Sequence, residues 1–274
     1  MYKQDWKLLN RLKIGIVGCG HLGQAIAQSL VDHGLEKENL IISYRGNPLT
    51  YQQLELKGLS LCIADNQRLF TEAGIILITV KPQDTIELKK ALADNKSLIV
   101  SCMAGIPIKQ LNKIFNVEIY RMMFSGPDTV SSGRGVATVY PQHEHLKLLI
   151  SLLNLRYIQI GSEDDLDIFT AGVCMPAAIL RVDNPIECAK AIEKIETEYP
   201  LLLEIYKWAI AVLPEFLNST EKNQYINRMI TKGGITEEII TSLNRGETLD
   251  ASLMNGIART KEISVEIQKS IRNS

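Results

Sequence analysis

Lys13-Ile14-Gly15-Ile16-Val17-Gly18-Cys19-Gly20-His21-Leu22-Gly23 sets a run suited to a buried strand directly before three glycines spaced G-x-G-x-x-G. Helix-compatible residues begin at Leu22, inside the glycine pattern, and continue to His33. A lone G-x-G-x-x-G says little, because glycine is common and turns need it. A strand before it and a helix after it give each glycine a physical role. Gly18 makes the tight turn, Gly20 lets the backbone approach a pyrophosphate, and Gly23 lets helix and strand pack closely. The free N–H groups and the positive dipole end of the helix then face the phosphates. The plainer reading is a structural turn without a ligand. With both flanks present, the pattern predicts a dinucleotide-binding turn of the Rossmann kind.

The surrounding sequence extends that reading. Short, β-branched, mostly apolar runs at 13–17, 40–44, 59–63, 75–80, 98–102 and 117–122 are expected as strands buried on both faces. Helix-compatible stretches at 22–33, 49–57, 67–73, 83–93 and 108–115 alternate with them. Gly34, Gly58 and Gly74 are placed to end three of these helices. Such alternation predicts a parallel sheet covered by helices on both faces. Strands at 135–140 and 157–160, with a helix near 144–153 between them, complete the unit. After Gly161 the pattern changes: 167–181, 185–196, 201–216, 225–231, 236–243 and 251–271 all suit helices. The expected organisation is α/β, with a Rossmann domain at 1–162 and an all-helical domain at 163–274, the border falling within 161–165.

Composition narrows the class. The chain has 274 residues, 46% of them hydrophobic and 22% charged, with a formal net charge of −1. These are globular values, too hydrophobic for a disordered chain and too balanced for a nucleic-acid binder. No run reaches the ~20 apolar residues a membrane span needs, and the N-terminus lacks a signal-peptide core. Cys19, Cys62, Cys102, Cys174 and Cys188 are odd in number, widely spaced and mostly flanked by apolar residues. They suit reduced thiols in a cytoplasmic core, with no disulfide framework and no metal cluster.

About twenty residues past the last glycine, an NAD-binding chain places Asp or Glu on the ribose hydroxyls. Here the second strand ends in Ser43-Tyr44-Arg45. No carboxylate stands there to repel a 2′-phosphate, Ser43 can donate a hydrogen bond, and Arg45 can pair with the phosphate charge. The expected cofactor is therefore NADP(H). An exposed loop arginine is the alternative.

From Ile14 to about Ser264 the chain resembles pyrroline-5-carboxylate reductase, strongly in the first domain and patchily in the second. Leu77-Ile78-Thr79-Val80-Lys81-Pro82-Gln83 is similar to the family's V-K-P-Q strand end, which lies beside the nicotinamide ribose. Asn66 stands where members often carry an asparagine facing the adenine-side ribose. Ser101-Cys102-Met103-Ala104-Gly105-Ile106 resembles the S-x-x-A-G-I turn that flanks the nicotinamide. Arg121-Met122-Met123 begins like R-x-M-P-N-T-P. Thr231-Lys232-Gly233-Gly234-Ile235-Thr236 looks like S-P-G-G-T-T, which receives the substrate carboxylate. The resemblance implies an NADPH-dependent reductase of a cyclic imine acid, pyrroline-5-carboxylate to proline, acting as a homodimer or higher homo-oligomer. It assigns cofactor contacts to Gly18, Gly20, His21, Leu22, Gly23, Ser43, Arg45, Asn66, Val80, Lys81, Pro82, Ala104 and Gly105. Substrate positioning falls to Gly233, Gly234 and Thr236, with Lys81.

The departures are specific. Met123-Phe124-Ser125-Gly126-Pro127 lacks the family's asparagine, and Val173-Cys174-Met175-Pro176-Ala177 replaces G-S-G-P-A. Lys232 stands for proline, Ile235 for threonine and His21 for a small polar residue. They leave open a divergent paralogue that binds dinucleotide but acts on another imine or regulates without catalysis. A β-hydroxyacid dehydrogenase is disfavoured, since counting its G-x-G-x-x-x-K-x-x-x-N from Gly172 puts Ala178 at the lysine and Val182 at the asparagine. Plain structural readings also stand beside the assignments. Thr236 could be a helix N-cap after a glycine turn, Lys81 a solvated strand-end lysine, and His21 a polar first-turn residue. His143 and His145 have no third ligand nearby and are expected at the surface.

Overall fold

The computed structural model describes residues 12–80, 84, 88, 97–115 and 117–272. They form two compact units: the residues up to Ile160 together with those from Ile267 on, and Gly161–Glu266.

The first unit is built on β1 (Lys13–Val17), β2 (Leu40–Ser43), β3 (Ala73–Ile78), β4 (Leu98–Ser101), β5 (Ile119–Phe124), β6 (Val136–Tyr140) and β7 (Arg156–Tyr157). They lie in one sheet in the order β2-β1-β3-β4-β5-β6-β7. The first five run parallel, with Ile14 opposite both Leu40 and Ile75. Their near-continuous burial explains why apolarity, rather than alternation, marks them in the sequence. Between and after them come α1 (His21–Asp32), α2 (Pro48–Leu56), α3 (Asn66–Glu72), α4 (Ile108–Phe115), α5 (Pro127–Ser131) and α6 (Glu144–Leu152). On one sheet face Ile14, Ile16, Ile42, Leu77, Val100 and Met122 share a core with Ile26 and Leu30 of α1 and Leu146 and Leu149 of α6.

Four expectations are corrected. The run 59–63 is no strand: Ser60–Cys62 is a 3₁₀ turn, tied to the sheet by a single bridge from Ile63 to Ile42. Leu59 and Cys62 are buried while Leu61 is 92% exposed, a spacing of three that belongs to a tight helix and not to a pleat. Gly74 does not end a helix; it lies within β3, where an added Cβ would come within 2.8 Å of the Leu12 side chain. The sheet is not wholly parallel, because β6 runs antiparallel to β5. The connection at 125–135 is shorter than the dozen or more residues a parallel crossover takes. The helix expected at 167–181 is two. The expected helix at 83–93 lies outside the described residues, apart from Asp84 and Leu88.

The second unit is helical: α7 (Asp165–Gly172), α8 (Met175–Val182), α9 (Pro185–Ile195), α10 (Pro200–Val212), α11 (Ser219–Met229), α12 (Ile235–Asn244) and α13 (Leu249–Arg272), the last continuing past Glu266. Pro176 sits in the first turn of α8, where its missing N–H costs nothing, so the chain breaks at Val173-Cys174. Gly172 lets α10 approach α7, since a Cβ there would meet Ile205 Cδ1 at 2.7 Å. Leu166, Phe169, Leu202 and Ile205 are fully buried.

Candidate active site

The glycine turn leaves the carboxyl end of β1, and each glycine answers to a different neighbour. Gly18 has φ +82, and a Cβ there would meet Val80 Cγ1 at 2.3 Å and the Val80 Cα at 2.9 Å. The Gly18 and Cys19 N–H groups both donate to the Ser43 carbonyl at 3.0 Å, which ties the turn to the end of β2. A Cβ on Gly23 would press on Thr79 Oγ1 at 2.8 Å and Ile16 Cγ2 at 3.2 Å. The Thr79 hydroxyl donates to the Val17 and Gly18 carbonyls. Gly20 differs: a Cβ there would have only the Gly18 carbonyl near it, at 4.0 Å. That open space lies at the start of α1, whose N-cap is Gly20 and whose first turn has neither a side-chain cap nor an acid. A pyrophosphate fits such a place, because unbonded N–H groups and the helix dipole both favour an anion.

The remaining cofactor candidates gather along the same strand ends. His21 is exposed and Leu22 half-buried at the start of α1. Ser43, the last residue of β2, is buried, and Arg45 just beyond it is 58% exposed. Asn66 is the exposed first residue of α3, and the Ala64 N–H returns that segment to the Ile42 carbonyl at 2.9 Å. Val80 lies against Gly18. The Cys102 N–H donates to the Ile78 carbonyl, so the turn carrying Ala104 and Gly105, the latter at φ +75, follows the same edge of the sheet. Lys81 and Pro82 lie outside the described residues.

Reading the sequence missed Asp84. Its carboxylate pairs with Arg45, Nη2 to Oδ1 at 2.6 Å, so a negative charge does stand beside the strand-end arginine. Nothing near residue 45 in the sequence signals it, since the partner follows β3. Burial pushes the Cys19 thiol up to about 12, so this residue of the turn is an inert packing thiol. His143, expected at the surface, is half-buried with its ring 5.2 Å from that of Tyr120; burial, then the neighbouring His145, lowers its pKa.

In the second unit, Gly234 and not Thr236 is the N-cap of α12, and no side chain caps this helix. Gly233, at φ +73, is held from both sides. Its N–H donates to Glu237 Oε2 at 2.6 Å, and its carbonyl accepts from Arg259 Nε and Nη2 at 3.1 and 2.9 Å. Arg259 also pairs with Glu262 and Glu266 along α13. The Gly234 N–H donates to the Thr231 carbonyl at 2.8 Å. Both glycine N–H groups thus serve the loop itself, and the first turn of α12 carries two acids, Glu237 and Glu238. The Thr236 hydroxyl donates to Cys174 Sγ at 3.2 Å, and the Cys174 thiol to the Thr170 carbonyl at 3.4 Å. Burial pushes that thiol up to about 11, against a smaller lowering by the Thr236 bond.

Comparison with known proteins agrees with this architecture. A family model described as NADP oxidoreductase, coenzyme F420-dependent, matches residues 13–105. Pyrroline-5-carboxylate reductase from Aquifex aeolicus is 28% identical over 262 residues, covering 92% of this chain and 96% of its own. Pyrroline-5-carboxylate reductase 2 from Bacillus subtilis is 25% identical, over 94% and 95%. The solved structure of a pyrroline-5-carboxylate reductase from Coxiella burnetii shares the fold, with a TM-score of 0.59 at 22% identity, over 93% and 98% of the two chains. The Plasmodium falciparum pyrroline carboxylate reductase with NADP bound gives 0.56 at 21%, over 94% and 98%. Fold and glycine turn define the class, a Rossmann oxidoreductase with a helical second unit. Within that class the chain is similar to pyrroline-5-carboxylate reductases along almost its whole length.

Proposed function

We propose that this protein reduces a cyclic imine acid, pyrroline-5-carboxylate to proline, with NADPH. The observation that carries the reading is the open space over Gly20 at an uncapped helix start, in a chain similar to these reductases along almost its whole length. When bound, NADPH supplies the hydride that adds to the imine carbon while the C=N pair moves to nitrogen. The chain's own part is to bind and orient. Gly18, Gly20, His21, Leu22 and Gly23 hold the pyrophosphate, and Ser43, Arg45 and Asn66 the adenosine ribose and its phosphate. Val80, Ala104 and Gly105 line the nicotinamide side, a role that the resemblance also assigns to Lys81 and Pro82. Gly233 and Gly234 shape the loop that presents the α12 start and Thr236 to the substrate carboxylate. A protonated imine is already electrophilic, so positioning supplies much of the rate and no acid–base pair is required. Consumption of NADPH with pyrroline-5-carboxylate tests the reading directly; a folded, NADPH-binding protein without that turnover would be the repurposed paralogue.

Arg45→Ala tests the cofactor assignment. The unmodified protein is expected to bind NADPH more tightly than NADH. Losing the arginine removes a charge-assisted contact worth about 1.5–3 kcal/mol. The existing pair with Asp84 brings the net effect towards the low end, roughly tenfold in NADPH affinity with NADH little changed. Nicotinamide fluorescence titration reads both; equal affinities in the unmodified protein would remove the NADPH preference.

The reading places the protein in the cytoplasm as a homodimer or larger homo-oligomer. No helix among the described residues is long and apolar enough to cross a membrane. Ile186, Leu217 and Val265 in the second unit are 69%, 92% and 49% exposed, apolar surface that a second copy would cover. Light scattering after gel filtration at micromolar concentration is expected to give at least twice the chain mass of 30.6 kDa. A monomer would contradict the proposal.

A further inference from the structure

β2 and β3 flank β1 in the sheet, so the segments that follow them bracket the glycine turn. Arg45 comes from the first segment and Asp84 from the second, joined at 2.6 Å. The carboxylate is the more enclosed partner, 18% exposed against 58% for the guanidinium. Arg45 occupies the strand-end position at which a 2′-phosphate is met. An anion drawn to it encounters a tethered negative charge already within ion-pair distance of the same fork. It must share the guanidinium with that charge or displace it.

We propose that Asp84 sets the margin by which this protein separates a 2′-phosphorylated dinucleotide from the unphosphorylated one, by competing with the 2′-phosphate for Arg45. The proposal rests on the assignment of Arg45 to the 2′-phosphate of NADPH. Because the carboxylate is part of the chain, its competition is constant and applies only to a ligand that carries the phosphate. NADH, with a free 2′-hydroxyl, makes little demand on the guanidinium and is nearly indifferent to Asp84. Asp84 is thus a specificity residue that acts through Arg45.

The test is fluorescence titration of NADPH and NADH against the unmodified protein, Asp84→Asn, Arg45→Ala and the double variant, with melting curves for all four. Asp84→Asn is expected to tighten NADPH about three- to tenfold and to leave NADH within about twofold. In the Arg45→Ala background the same substitution should change neither. Asp84→Ser, which also removes the charge, serves if the asparagine variant folds poorly. Weaker NADPH binding in the Asp84 variants, no change, or equal shifts for both dinucleotides would overturn the proposal. If Arg45→Ala selectively weakens NADPH while the Asp84 variants fail in this way, the cofactor assignment stands and only the competition is lost. If Arg45→Ala moves neither dinucleotide, both fall together.

Discussion

Gly18→Ala is expected to lower NADPH affinity by more than about a hundredfold and to destabilise the protein by roughly 2–5 kcal/mol. Two independent costs meet at this residue. Its φ of +82 is a conformation in which a side chain is strained, and the added Cβ would lie 2.3 Å from Val80 Cγ1. A flexible side chain could turn away, but the Val80 N and Cα, both at 2.9 Å, cannot. Relief must come from the turn itself, which would pull the Gly18 and Cys19 N–H groups off the Ser43 carbonyl and tilt the start of α1. Gly20→Ala provides the contrast. Its backbone is extended and the space above it is open, so stability should change by less than about 1 kcal/mol. Affinity should still fall, because the methyl group enters the space assigned to the pyrophosphate. Urea denaturation and cofactor titration on both variants separate the two effects. If Gly20→Ala leaves NADPH affinity unchanged, the turn is structural and the cofactor site lies elsewhere.

Strands that are buried on both faces announce themselves as apolar runs, which is why β1 to β5 could be read directly. The failures share a cause: an apolar run does not state its period. Residues 59–63 contain Leu59, Cys62 and Ile63, and only the solvent-facing Leu61 shows that the spacing is three. Pro176 carried the signal that α7 and α8 are separate, since a proline cannot sit inside a helix without breaking it. Asn218 likewise marked the start of α11, its side chain accepting from the Glu221 N–H. The candidate site divides along a different line. The glycine turn was legible because backbone conformation restricts residue type at each position. The carboxylates that meet its intended anion donors were not. Asp84 reaches Arg45, and Glu237 reaches the Gly233 N–H, through tertiary geometry that leaves no mark on local sequence. Each of the two proposed anion positions, one in each unit, therefore carries an internal acid, a feature that motif matching passes over.

Thr236→Ala is expected to lower kcat/KM for the imine acid about tenfold to a hundredfold while barely moving the melting temperature. The hydroxyl is proposed to donate to a substrate carboxylate, a charged hydrogen bond worth about 1.5–3 kcal/mol. Structure strengthens the test, because Gly234 is the N-cap and Thr236 lies within the first turn of α12. Alanine is well tolerated inside a helix, and the bond being lost ends on Cys174 sulfur, a weak acceptor. Stability should therefore change by less than about 1 kcal/mol, where removal of a true cap costs about that much or more. Thr236→Ser keeps the hydroxyl and should restore most of the rate. Thr236 is assigned to the substrate carboxylate and not to the dinucleotide, so NADPH affinity should be unchanged by either variant. Lys232, exposed beside the loop, adds a long-range attraction, and substrate KM should rise with ionic strength. Steady-state kinetics with pyrroline-5-carboxylate, melting curves and cofactor titration on the three proteins decide the matter. An active parent whose kcat/KM survives the loss of Thr236 would mean that the carboxylate is held elsewhere, and that the Thr236–Cys174–Thr170 chain only joins α12 to α7 and the turn before α8.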